Sequence, residues 1–176
     1  PQLPAFRPGF TARETIAFYT DLADVETDPE VFLERVGLSD AADRRVGALS
    51  GGMTRLLGLA QALVGDPPIV LLDEPTSGLD PDMSDRIFEL MGELTGDDQV
   101  LVVASHDLSG IETHANRVLF FSEGRIQLDG TPGRIREETN TGSLRAAFSE
   151  TLRGRSETGP GVDDPARTVA EEVSDG

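Results

Sequence analysis

Two apolar runs without polar alternation constrain this chain most. Residues 69–72 are Ile-Val-Leu-Leu and residues 100–104 are Val-Leu-Val-Val-Ala. A run of that length lacking period 2 has the pattern of a strand buried on both faces, as in a parallel sheet. Between the runs, Asp80 is placed to cap a helix with Pro81 in its first turn, and another short helix is expected after His106. Parallel neighbours need a crossover, and a helix between two strands supplies one with right-handed sense. The sequence therefore predicts an α/β layered core on a parallel sheet.

Shorter helical pieces precede this core. The first ten residues are Pro-rich and lack helical period, so they read as loop. A helix starts at Thr11, which forms a capping box with Glu14, and Ile16, Tyr19 and Leu22 keep one face apolar. Asp28 caps a second helix with Pro29 in its first turn and Gly37 as its stop, offering Val31, Leu33 and Val36 for packing. A third helix is predicted over 53–64, ended by Gly65, Asp66 and the Pro67-Pro68 pair, with Leu56, Leu59, Ala60 and Leu63 at core spacing. Beyond the second strand, 117–121 and 125–128 read as a hairpin joined by Ser122, Glu123 and Gly124. Thr131-Pro132 opens a short helix, a weaker one is expected over 143–152, and 153–176 reads as a disordered acidic tail.

Composition narrows the function. The 176 residues carry 15 basic and 32 acidic side chains, a net charge of −17, and every basic residue is Arg. Such a field repels phosphate backbones and anionic lipid, which argues against nucleic acid or a membrane surface as a charge-bound partner. With no Cys there is no disulfide, thiolate metal site or cysteine nucleophile. The acid excess resembles the hydrated surface of proteins from salt-loaded cytoplasm; an ordinary acidic cytosolic protein is the alternative. The apolar runs are far shorter than the roughly 20 residues of a membrane span, and the chain reads as soluble.

Three features carry chemistry. Asp73 and Glu74 follow the first strand, at the carboxyl edge where open α/β sheets bind ligands. One of these acids could hold a hydrated Mg²⁺ while the other faces an attacking water; a solvated loop start is the plainer alternative. Ser50, Gly51 and Gly52 precede the third helix, where bare backbone N–H groups and the helix dipole suit a phosphate, though a simple helix cap has the same composition. His106 falls just past the second strand, on the same sheet edge, and can hydrogen-bond a phosphate and the water attacking it. His114 lies within a polar helix and reads as a surface residue.

In order and spacing, these pieces resemble the ATP-binding subunit of ABC transporters. Leu49-Ser50-Gly51-Gly52-Met53 resembles the signature motif, 69–74 the Walker B strand, Ser77-Gly78-Leu79-Asp80 the D-loop and Ser105-His106-Asp107 the switch histidine. Pro1-Gln2 resembles the end of the glutamine loop, and the stretch from Thr11 to Tyr19 the start of the helical subdomain. Three departures accompany the likeness. There is no Gly-x-x-x-x-Gly-Lys-Ser/Thr phosphate loop, and no Lys that could form one, so the chain reads as N-terminally truncated. Met53 stands where Gln is usual, a variant associated with the branch serving drug, polysaccharide and copper-maturation exporters. Leu56 replaces an Arg common at that place, with Arg55 one position early.

The resemblance implies a partial P-loop NTPase (RecA-like) parallel-sheet core plus a small helical subdomain. It divides the chain into a glutamine-loop remnant and helical subdomain (1–50), the C-terminal half of the ATPase core (51–152) and the tail (153–176). The implied ligands are ATP and Mg²⁺. Glu74 would polarise the attacking water, Asp73 and Gln2 would hold Mg²⁺, and His106 and Gln2 would contact the γ-phosphate. Ser50, Gly51 and Gly52 would act on the ATP of a neighbouring subunit, with Asp80 linking the two sites. The implied partners are a membrane permease and a second ATPase subunit, identical or different, at the inner face of the cell membrane. Two alternatives share these motifs. A chromosome-maintenance ATPase would separate its halves by a long coiled coil, which the short helices between Gln2 and Ser50 do not form; a non-catalytic module would keep only the face that acts on a neighbour.

Overall fold

The expected strand pairing is present. β1 (Ile69–Asp73) and β2 (Val100–Ala104) are parallel, in register from Ile69 opposite Val100 to Asp73 opposite Ala104. The computed structural model describes residues 5–94 and 99–157. α4 (Pro81–Leu94) starts directly after Asp80, whose Oδ1 accepts the Met83 N–H at 3.0 Å.

The sheet differs from expectation on one face. Val70 is buried, and Leu72, Leu101 and Val103 pack against the core, whereas Ile69, Leu71, Val100 and Val102 are open, Leu71 being 73% exposed. Successive strand side chains point to opposite faces, and among the described residues only one face is covered. The unbroken apolar run correctly marks both faces as apolar, but a sequence pattern carries no record of what lies over each.

α1 (Ala12–Leu22) begins with the complete capping box: the Thr11 hydroxyl accepts the Glu14 N–H at 3.0 Å, and the Glu14 carboxylate accepts the Thr11 N–H at 2.8 Å. α2 (Pro29–Arg35) is capped by Asp28, and the chain turns away at Gly37, whose φ of +71° costs a side-chain-bearing residue about 1 kcal/mol or more. Two 3-10 turns, Ser39–Ala41 and Val46–Ala48, lead into α3 (Gly51–Ala62). α3 starts two residues before the expected Met53, because the Ser50 hydroxyl accepts the Met53 N–H and sets the first turn there.

These helices and the strand layer share one core. Ile16, Phe32, Leu33, Leu57 and Ala60 cluster with Val70, Ile87, Phe88 and Met91, and Leu56, Leu59 and Leu63 join them as their spacing predicts. Each large side chain buried there contributes about 1.5–3 kcal/mol. Leu22 and Val31 stay outside, at 71% and 45% exposure. In α2 the inward stripe runs through Phe32, Leu33 and Val36, which turns Val31 to solvent. After β2, Asp107 caps α5 (Leu108–His114). Its last residue, His114, is half-buried and not a surface side chain as expected: its ring stacks on Phe88, centroids 5.7 Å apart and planes 3° from parallel.

The chain divides into two units, Pro1–Ala115 and Asn116–Gly176. In the second, β3 (Val118–Ser122) and β4 (Arg125–Gly130) form the expected antiparallel hairpin, turned at Glu123 and Gly124, which both take positive φ. α6 (Pro132–Glu138) is capped by Thr131, and α7 (Leu144–Glu157) continues five residues beyond the expected end at 152. Val118, Phe120, Ile135, Leu144 and Ala147 are buried here, and Phe120 stacks on Phe148 at 4.9 Å. The acidic tail after Glu157 lies outside the described residues. No helix among the described residues is long and apolar enough to cross a membrane.

Candidate functional site

The site begins where β1 ends. Asp73 is the last strand residue, opposite Ala104, and Glu74 leaves the strand with φ +48°. The Glu74 N–H still donates to the Ala104 carbonyl at 2.8 Å, so the main chain stays tied to β2 while its direction changes. Sequence alternation alone would place Glu74 as one more strand residue facing away from Asp73. The left-handed turn instead brings its carboxylate to the loop after β2. A non-glycine residue in this region is strained, and such strain is commonly retained at working sites.

That carboxylate is held from three sides. His106 Nδ1 lies 2.8 Å from Glu74 Oε1, and the His106 backbone N–H donates to the same oxygen at 3.1 Å. The Ser105 hydroxyl donates to Oε2 at 3.3 Å and accepts the Asp107 N–H at 3.1 Å. Glu74 is largely buried, with a side-chain exposure of 18%, whereas His106 is 79% exposed. The imidazole pKa is raised above its ordinary value, first by the hydrogen bond to Glu74, then by the negative charge of Glu74 and, more weakly, of Asp107. Glu74 and His106, expected on one sheet edge, are in direct contact. Ser105 is a further residue of the site, marked in the sequence by its place beside His106.

Gly51 and Gly52 fall in the first turn of α3 and not ahead of the helix as expected. The Ser50 hydroxyl caps α3, and its carbonyl accepts the Thr54 N–H at 2.9 Å. The first N–H groups of any α-helix have no partner inside it, and the dipole adds partial positive charge there. Gly51 is exposed, while Gly52 is buried against Met83, where a Cβ would come within 3.0 Å of that side chain. Met53 accepts from Arg44 through its sulfur at 3.7 Å. The loop Ser77-Gly78-Leu79-Asp80 turns at Gly78, φ +77°, and Asp80 serves as the cap of α4.

Asp73 is exposed at the strand end. A single open carboxylate suits Mg²⁺, which keeps several waters and takes one or two protein carboxylates beside phosphate oxygens. Gln2 lies outside the described residues.

Fold and site together define part of a P-loop NTPase core of the α/β class. The family model described as "AAA domain, putative AbiEii toxin, Type IV TA system" matches residues 20–112, more than half of the chain. The "Uncharacterized ABC transporter ATP-binding protein YxlF" of Bacillus subtilis (strain 168) is 35% identical over 167 residues, which is 92% of this chain and 56% of that protein. The "Phosphonates import ATP-binding protein PhnC 2" of Synechococcus sp. (strain JA-2-3B'a(2-13)) is 40% identical over 104 residues, 58% of this chain and 39% of that protein. A solved "Structure of ATP binding subunit of ABC transporter" shares the fold with a TM-score of 0.70 at 22% identity, covering 86% of this chain and 66% of that one. The chain belongs to the AAA-domain family, and the relatives it matches are ATP-binding subunits of ABC transporters. It spans about half the length of the curated relatives it matches.

Proposed function

We propose that this chain is part of an ATP-binding and hydrolysing subunit that powers a membrane permease. Two such subunits, identical or different, close head to tail on two ATP molecules, and hydrolysis releases them, driving the permease between states. The observation that supports this reading most directly is the contact of Glu74 with His106 at the carboxyl edge of the parallel sheet. The subunit works at the inner face of the membrane through the permease and does not bind nucleic acid. Met53 in the signature-like segment favours the exporter branch.

In this mechanism Glu74 accepts a proton from the water that attacks the terminal phosphate. With Nδ1 engaged by Glu74, Nε2 is the atom His106 offers to that phosphate, and Gln2 is a further contact to it. Ser50, Gly51 and Gly52 hold the phosphate of the neighbour's ATP with the hydroxyl and backbone N–H groups, and Asp80 links the two sites. Mg²⁺, when bound, neutralises phosphate charge, and Asp73 would hold it through water, with Gln2 as a further oxygen ligand. Residues 1–50 serve as the glutamine-loop and helical part, 51–152 as the second half of the ATPase core, and 153–176 as an acidic tail.

The 176 residues contain no Lys and no Gly-x-x-x-x-Gly-Lys loop. On their own they neither hold ATP tightly nor hydrolyse it, since phosphoryl transfer depends on positioning by that loop. The test is phosphate release by the assembled ATPase. Glu74→Gln should retain ATP, elute as a dimer with ATP and Mg²⁺, and nearly lose turnover, because an amide cannot take the proton. Turnover at the unchanged rate would remove Glu74 from the role of base.

A further inference from the structure

Arg55 stands on α3 one turn beyond the glycines and is half-buried. Its Nη2 donates to the main-chain carbonyl of Ser77 at 2.9 Å. Ser77 donates its own N–H to the Glu74 carbonyl at 3.2 Å, and Glu74 is tied in turn to Ala104. A single residue thus separates the side chain of Arg55 from the backbone of Glu74.

Beside this bond, the glycines of α3 face apolar side chains of the loop and of α4. A Cβ on Gly51 would lie 3.9 Å from Leu79 Cδ2, and Gly52 packs on Met83. Apolar contacts set a separation but have little directionality. A guanidinium donating to a carbonyl is directional and charge-assisted, so it fixes where the loop sits along α3. At Gly78, φ +77°, nothing lies within 4 Å of the Cβ position, so no side chain packs the loop in place there.

We propose that Arg55 is a positioning residue: it couples the N-terminal turn of α3 to Glu74 through Ser77. The proposal rests on reading Ser50, Gly51 and Gly52 as contacts to a neighbour's nucleotide and Glu74 as the base of this subunit's own site. A shift of α3 on closure against a neighbour's ATP is then carried by the Arg55 bond into the loop that follows Glu74. Engagement of one site readies the water-activating carboxylate of the other.

The test compares Arg55→Met, which keeps the stem and removes the donors, with Arg55→Lys, which restores a cation on a flexible stem. Amide exchange in this chain reads the contact. Arg55→Met should accelerate exchange at Ser77 and Leu79, leave α1 and α2 unchanged, and be partly reversed in Arg55→Lys. In the assembled ATPase, Arg55→Met should lower kcat about tenfold with KM for ATP unchanged, and Arg55→Lys should recover to within about threefold. Unaltered exchange at Ser77 overturns the proposal, as does accelerated exchange with unchanged kcat, or a raised KM with kcat intact. Glu74→Gln run alongside separates the two failures. If it turns over normally, the reading of the base fails; if it is inactive while Arg55→Met is fully active, only the coupling fails.

Discussion

His106 grips one oxygen of Glu74 twice, with Nδ1 at 2.8 Å and its backbone N–H at 3.1 Å from Oε1. The backbone bond holds whatever the charge of the ring, whereas the side-chain bond strengthens when the imidazole is protonated.

The first prediction concerns that charge. Glu74 raises the His106 pKa in the folded chain relative to the unfolded one. The stabilising contribution is therefore fully present below the unfolded imidazole value of about 6.5 and is lost as pH rises through the higher folded value. NMR titration of the ring should give a midpoint above about 6.5 in the wild type, falling back towards it in Glu74→Gln. Equal midpoints in the two proteins would contradict the pairing.

The second concerns nucleotide affinity. Calorimetry of the 176-residue polypeptide with ATP and Mg²⁺ should show no binding at micromolar concentration, because no Lys-bearing phosphate loop is present in it. Micromolar affinity would mean that the phosphate is held by groups other than those assigned above.

The third contrasts two glycines. A Cβ at Gly110 would lie 2.2 Å from the ring of Phe88, which is itself buried, so Gly110→Ala must displace a rigid core side chain. The expected loss is about 1–3 kcal/mol, or about 2–4 °C in Tm per kcal/mol for a chain of this size. Gly52→Ala meets the flexible Met83 at 3.0 Å and should cost less. Thermal melts that place Gly52→Ala below Gly110→Ala would reverse this ordering.

The fourth concerns salt. With a net charge of −17, stability should rise with potassium chloride as self-repulsion is screened. The Debye length falls from about 10 Å at 0.1 M to about 3 Å at 1 M, so most of the gain should come before molar salt. A Tm that is flat or falling across that range would discard the salt-adapted reading of the surface.

Local chemistry was legible from the chain alone. Thr11 with Glu14, Asp28 with Pro29, and Asp80 with Pro81 mark helix starts through bonds spanning two or three residues, and these formed as expected. The two apolar runs likewise determined the strands and their parallel pairing, because a short run with no polar face has few other places to go. Tertiary structure alone decided three things: that one face of β1 and β2 is covered and the other open, that Glu74 turns left-handed towards Ser105 and His106, and that Arg55 reaches Ser77. The last two depend on groups 22 or more positions apart in sequence meeting in space. Periodicity and capping rules describe neighbours along the chain, and no such rule encodes which distant carbonyl or carboxylate a side chain will find.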